Sequence, residues 1–191
     1  MKKLIISSAV VLISGFISSV TEELHAADSA KKGKVLIAYF SMSGNTRVLA
    51  NQIKDMTGGE LFEIVTVQTY PSDYNALVNL AKKEQAAGYL PELKSKVNKM
   101  NSYDVVFIGY PNWWGTMPMP VFNFLKSYDF KGKTIIPFCT NEGSGMGSSE
   151  NDIRKICPSA VVKNGLPIRG GKVKSAQNDV RSWLRASGYV K

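Results

Sequence analysis

Six consecutive apolar residues, Val35-Leu36-Ile37-Ala38-Tyr39-Phe40, run without interruption into Ser41-Met42-Ser43-Gly44-Asn45-Thr46. Apolar residues then recur at helical spacing, at Val48, Leu49, Ile53 and Met56. No other stretch limits the fold so strongly. An unbroken run rich in β-branched and aromatic residues describes a strand buried on both faces, as central parallel strands are. A strand that feeds a helix through a short polar turn places that turn at the helix N-terminus. There the unpaired N–H groups and the positive end of the dipole favour an anion. Ser41, Ser43, Asn45 and Thr46 add side-chain donors, and Gly44 lets the backbone approach closely. Arg47 is the nearest full positive charge. Neutral donors of this kind suit a small phosphate monoester, with a plain helix cap as the alternative on the turn alone. Neither G-x-x-x-x-G-K-[ST] nor, in this turn, G-x-G-x-x-G is present, which sets aside two better-known phosphate loops.

The strand-then-helix order repeats along the chain. After Thr57-Gly58-Gly59, Glu60 to Val67 alternates like a half-buried edge strand. Tyr70-Pro71-Ser72-Asp73 opens a second helix, with Leu77, Leu80 and Ala81 on one face and Gly88 ending it. Pro91 to Met100 reads as a solvated, Lys-rich connection. Val105 to Tyr110 is a third strand, and a helix follows from about Met119 to Lys126. Thr134 to Thr140 is a fourth strand, with a helix near Glu150 to Ile156. Ala160-Val161-Val162 is a weak fifth strand, extended irregularly through Leu166 and Ile168. Ser175 caps a last helix carrying Val180, Trp183 and Leu184. Such alternation predicts an α/β fold with a parallel sheet and helices on both faces.

Ligands in these sheets sit beyond the strand C-termini, where the strand order reverses. Three loops fall at that edge, 41–46, 111–117 and 140–147, and all carry unusual polar, glycine or aromatic content. The first offers an anion cradle. The second sets Trp113 beside Trp114 between Pro111 and Pro118, which points to at least one ring at a ligand or in solvent. The third carries Gly143, Gly145 and Gly147, whose backbone groups are expected to meet a ring edge. A phosphate, a flat aromatic system and a polar ring edge together describe flavin mononucleotide (FMN).

On these residues the chain resembles the flavodoxin family. Ser41-Met42-Ser43-Gly44-Asn45-Thr46 is similar to that family's phosphate loop, (S/T)-x-(S/T)-G-x-T, placed directly after the first strand. Pro111-Asn112-Trp113-Trp114-Gly115-Thr116, with Pro118 and Pro120, looks like the flavin loop of a flavodoxin-like subfamily. Phe138-Cys139-Thr140 running into Gly143-Ser144-Gly145 looks like its second ring loop. The resemblance spans residues 34 to about 190 and implies a flavodoxin-like, doubly wound five-stranded parallel sheet of order 2-1-3-4-5. It implies noncovalent FMN and electron transfer. By that resemblance Ser41, Met42, Ser43, Gly44, Asn45 and Thr46 surround the phosphate. Pro111, Asn112, Trp113, Trp114, Gly115 and Thr116 flank one side of the ring system. Thr140, Asn141, Glu142, Gly143 and Gly145 flank the other.

Two features depart from a soluble flavodoxin. Lys2 and Lys3, the apolar stretch Leu4 to Val20 and Leu24-His25-Ala26 fit a Sec-type signal peptide, residues 1–26, cut after Ala26. Residues 27–33 then form a flexible leader before a domain over 34–191, which is expected in the periplasm or outside the cell. The cut removes His25, the only His, and with it any Ser-His-Asp or Cys-His mechanism and any His-bearing zinc or haem site. Cys139 and Cys157 fall at opposite ends of a helix of about eight residues at ~1.5 Å each, beyond disulfide reach, so both are expected as buried thiols. The second departure is charge. Residues 1–26 carry equal numbers of Lys and Glu, so the mature chain keeps the net +9. That charge favours a redox partner with an acidic docking face and makes reduced, anionic FMN easier to form. It also leaves attraction to a membrane surface open. The Lys are scattered without interleaved aromatics, so nucleic acid is not an expected partner.

Three functions stay open. The first is an exported FMN electron carrier. The second is an FMN-dependent NAD(P)H:quinone or nitro-compound reductase. The third is a flavodoxin-like protein that has lost FMN binding.

Overall fold

The computed structural model describes residues 33–190; the expected signal peptide and residues 27–32 of the leader lie outside them. Strands β1 (Val35–Tyr39), β2 (Glu60–Glu63), β3 (Val105–Pro111), β4 (Thr134–Asn141) and β5 (Val161–Val162) form a parallel sheet in the order β2-β1-β3-β4-β5. Helices α1 (Asn45–Thr57), α2 (Tyr74–Ala87), α3 (Met119–Lys126), α4 (Ser149–Ile156) and α5 (Gln177–Ala186) surround it. This is the doubly wound α/β fold that the strand–helix alternation predicts. Among the described residues no helix is long and apolar enough to cross a membrane.

Two apolar layers sandwich the sheet because successive strand residues point to opposite faces. Leu36 and Ala38 of β1 join Val106, Ile108 and Tyr110 of β3 on one side, under α3 and α4. Ile37 and Tyr39 join Phe107 and Phe138 on the other, under α1 and α5. Both cysteines are free and buried in the first layer. Burial pushes the Cys139 thiol up to about 12 and the Cys157 thiol up to about 11, so neither forms thiolate readily.

Gly109, in mid-β3, lets the Phe138 ring cross the backbone. A Cβ there would stand 2.1 Å from Phe138 Cζ and 2.3 Å from Cε2. Gly109→Ala is therefore expected to destabilise the fold by about 1–3 kcal/mol through overpacking. Chemical denaturation should show a lower midpoint with an unchanged slope.

The second strand is shorter than expected. β2 stops at Glu63, and Val65 to Val67 instead pairs with Glu92 to Lys94, through Val67 N–H to Glu92 O (2.9 Å) and Lys94 N–H to Val65 O (2.8 Å). One alternating run thus serves two partners. The segment 91–100 is accordingly no solvated link, since it supplies that partner and buries Val97 and Met100. The fifth strand is interrupted as its sequence suggests. β5 pairs with the start of β4, and β6 (Leu166–Arg169) pairs with its end. Ser175 does not cap α5. It closes a 3₁₀ turn over Gly170–Ser175, donating to Lys172 O at 3.2 Å, and the helix begins at Gln177 without a side-chain cap.

Candidate functional site

The loops after β1, β3 and β4 converge beyond the sheet's C-terminal edge on one cavity of about 750 Å³. Its polar wall begins at the N-terminus of α1. Gly44 occupies the N-cap with φ 89°, a left-handed conformation that glycine adopts without penalty, and it has no side chain with which to cap the helix. The Asn45 and Thr46 N–H groups at the start of the helix therefore have no intrahelical acceptor and no side-chain cap, the donor set an anion needs. Met42, Ser43 and Asn45 line the cavity. Ser41 instead accepts the Arg47 N–H at 3.3 Å, stiffening the turn from behind. Thr46 is buried, and its Oγ1 shares a 2.9 Å hydrogen bond with Thr140 Oγ1, which ties the first loop to the end of β4. The Arg47 guanidinium pairs with Glu63, so its charge is already engaged.

The second loop is a tight turn. Trp113 and Thr116 exchange backbone hydrogen bonds at 2.9 and 3.1 Å, and Trp114 and Gly115 between them have φ 52° and 84°. Positive φ at both central residues is the mark of a type I′ turn, where a bulky Trp is disfavoured. Contacts to α2 offset that strain. The Trp114 indole N–H donates to Val78 O at 3.1 Å, and Lys82 Nζ lies 4.9 Å from the ring centroid.

The two indoles differ in role. Trp113 packs edge-on against Phe40 and Tyr70, at 5.5 Å from each, and presents its remaining surface to the cavity. Trp114 is 48% exposed at the rim. Pro111 and Asn112 also line the cavity, whereas Gly115 and Thr116 do not reach it. Thr116 is buried and donates to Asp152 Oδ2 at 2.6 Å.

The third loop departs from expectation. Two of its three glycine N–H groups are not free for a ring edge, because Asn141 Oδ1 accepts from Gly143 N–H (2.8 Å) and Gly145 N–H (3.2 Å). The Gly145 carbonyl is also taken, by Asn112 Nδ2 at 2.9 Å. Gly143 and Gly145 thus shape the loop from inside. Thr140, Asn141, Glu142 and Ser144 form the wall. Gly170 closes this corner: a Cβ on it would stand 2.5 Å from Glu142 Oε1 and 2.7 Å from Asn45 Nδ2.

Helix α2 supplies a wall that the loop pattern alone does not reveal. Tyr74, Leu77, Val78 and Ala81 line the cavity beside Ser72. They stand at i, i+3, i+4 and i+7, one stripe of a helix. The signal is present in the sequence, but the core-facing stripe through Leu77, Leu80 and Ala81 overlaps it. The cavity therefore has a polar side at α1 and β4, an apolar side at α2, and Trp113 between them. Among the described residues no group of acidic or thiol side chains could hold a metal ion.

Comparison with known proteins agrees with this architecture. A provisionally assigned flavoprotein from Bacteroides eggerthii DSM 20697 is 34% identical, with a TM-score of 0.72, over 81% of this chain and 98% of its own. A similarly assigned protein from Bacteroides uniformis ATCC 8492 is 30% identical, with a TM-score of 0.72, over 81% of this chain and 99% of its own. A flavoprotein from Lactobacillus acidophilus NCFM, solved in complex with FMN, shares the fold at 24% identity and a TM-score of 0.62, over 75% of this chain and 97% of its own. No curated protein matches the chain. Residues 34–187 match the family model described as Flavodoxin, and the chain belongs to the flavodoxin family.

Proposed function

We propose that this protein binds FMN noncovalently and passes electrons to or from a redox partner in the cell envelope. One observation carries the reading: a single cavity joins a helix N-terminus whose first two N–H groups are free, suited to a phosphate, to an aromatic and apolar wall, suited to a flat ring system. The uncapped α1 donors, with Ser43 and Asn45, would hold the phosphate. Trp113, with Trp114 at the rim, would flank the rings, and Thr140, Asn141 and Glu142 would meet their polar edge. FMN would supply reversible electron storage, and the chain's residues orient it and exclude water. The FMN-bound relative of the same fold supports this assignment.

The amino-terminal sequence supports export, and the net charge of +9 supports a partner with an acidic docking face. The same positive field favours negative charge on the cofactor, so reduction should be easier than in an acidic protein. A two-electron potential markedly below that of free FMN would contradict this part of the reading.

The apolar stripe of α2 favours one second reading, a reductase in which a flat oxidant such as a quinone lies against Tyr74, Leu77 and Val78. A visible spectrum of the purified protein, before and after FMN and then NAD(P)H, separates the cases. Flavin bands that shift on binding and ignore NAD(P)H are the expected result. Rapid bleaching would make the protein a reductase, and no binding in excess FMN would remove the cofactor.

A further inference from the structure

Beneath Trp113 lies a buried carboxylate that the FMN site does not use. Glu84 of α2 is 8% exposed, and Tyr70, 7% exposed, donates its hydroxyl to Glu84 Oε2 at 2.6 Å. The Tyr70 ring meets Trp113 edge-on at 5.5 Å and Phe40 at 5.8 Å, and Phe40 leads directly into the Ser41 turn. Glu84 and Trp113 also share the wall of a small void of about 10 Å³, which has Ala81, Trp113 and Trp114 in common with the main cavity. That size is near the lower limit for one water molecule. Ala81, which lines both the void and the main cavity, lies one helical turn from Glu84 on the same face of α2.

Elsewhere in this core, buried polar groups have evident structural work: Lys133 bonds the Tyr103 carbonyl, and Ser149 bonds Tyr110. Glu84 differs because it is an acid, and among the described residues no Lys or Arg pairs with it. Its titratable neighbours are Tyr70, Tyr89, whose backbone N–H donates to Glu84 O, and Lys82, whose ammonium is turned over Trp114. Residues 117–119 and Phe40 bring only apolar surface. An acid so placed answers chiefly to any charge arriving in the cavity. We propose that Glu84 is the proton acceptor of this site, taking one proton from water when reduction of the bound cofactor adds negative charge across Trp113, and releasing it on oxidation. The electrons come from the external donor, and Glu84 itself is neither oxidised nor reduced. Tyr70 acts as a positioning residue, holding the carboxylate beside the void that it shares with Trp113.

The inference rests on the FMN reading. Burial raises the Glu84 carboxyl above its ordinary 4.5, with the Tyr70 hydrogen bond opposing. Added negative charge raises it further. Between its values in the oxidised and reduced protein, reduction takes up an extra proton, and the midpoint potential gains an extra fall with pH.

The test is the midpoint potential of the FMN-loaded protein against pH for wild type, Glu84→Gln and Tyr70→Phe. Gln keeps the acceptor and the shape but cannot titrate. The two curves should coincide at the acid end, and the wild type should fall below the variant above the window. Tyr70→Phe removes the hydroxyl that favours the ionised acid, so its window should move to higher pH. Parallel wild-type and Glu84→Gln curves throughout would overturn the proposal and leave Glu84 a structural anchor. Should Glu84→Gln fail to fold, the reduced-minus-oxidised infrared difference spectrum of Glu142→Gln, which removes the carboxylate lining the cavity itself, decides: a carboxylate band lost and a protonated carboxyl band gained is expected, and their absence overturns the proposal. Failure to bind FMN at all would show at the loading step, and would overturn the functional reading along with this one.

Discussion

Gly147→Ala is expected to destabilise the folded protein by about 2–5 kcal/mol and to loosen the flavin site with it. Two physical terms combine. Gly147 has φ 57°, where an L side chain costs roughly 1–2 kcal/mol. Its added Cβ would also stand 2.0 Å from the Gly115 carbonyl oxygen and 2.7 Å from its carbon, and a backbone obstacle cannot rotate away. Overpacking of that kind adds about 1–3 kcal/mol. The contact matters because it joins two loops: the Gly115 carbonyl accepts the Ser148 N–H at 2.8 Å, and Asn112 reaches across to Gly145. Pushing them apart moves Trp113 and Trp114 relative to Asn141 and Glu142. Gly115→Ala is the control, since Gly115 also has positive φ, 84°, but faces open space. Thermal unfolding of both variants isolates the collision. Equal losses would show that the two loops are not clamped at this point.

How much of this was legible in the sequence depends on whether the cause was local. β1, its polar turn and α1 were readable because strand period, turn chemistry and helix period follow one another within about twenty residues. The convergence of three loops followed from α/β topology rather than from any residue, whereas the strand order came only with the flavodoxin resemblance. What escaped the sequence was set by distant partners. Glu60 to Val67 alternates throughout, yet only a segment some thirty residues later decides that its second half leaves the sheet. Gly143 and Gly145 of the third loop read as open donors, but the amide of Asn141 turns them inward. The α2 stripe at Tyr74, Leu77, Val78 and Ala81 had the right spacing and was masked by the core stripe it overlaps. Glu84 gave no signal at all. A lone Glu on a helix is ordinarily solvated, and only the tertiary position of Tyr70 marks it as buried.

Asn45→Asp should weaken FMN binding by about 30- to 1,000-fold while leaving riboflavin binding nearly unchanged. Asn45 is the first residue of α1 and lines the cavity, and Asp reproduces its shape with a full negative charge. Two unit charges about 4 Å apart at an effective dielectric near 20 repel by about 4 kcal/mol. Partial solvation and salt reduce this to about 2–4 kcal/mol, which sets the expected range at 1.4 kcal/mol per tenfold. The unliganded fold should change little, because an acid in the first helical turn interacts favourably with the dipole, by about 0.3–1 kcal/mol, which offsets its repulsion by the Glu142 carboxylate across Gly170. Loss of affinity with unchanged or slightly raised thermal stability would therefore locate the effect at the ligand. Riboflavin carries the same ring system without the phosphate, so it separates charge repulsion from damage to the ring site. Raising ionic strength should recover part of the FMN affinity and none of the riboflavin affinity. Equal weakening of both ligands would mean that Asn45 meets the rings, and the phosphate would have to be sought away from the N-terminus of α1.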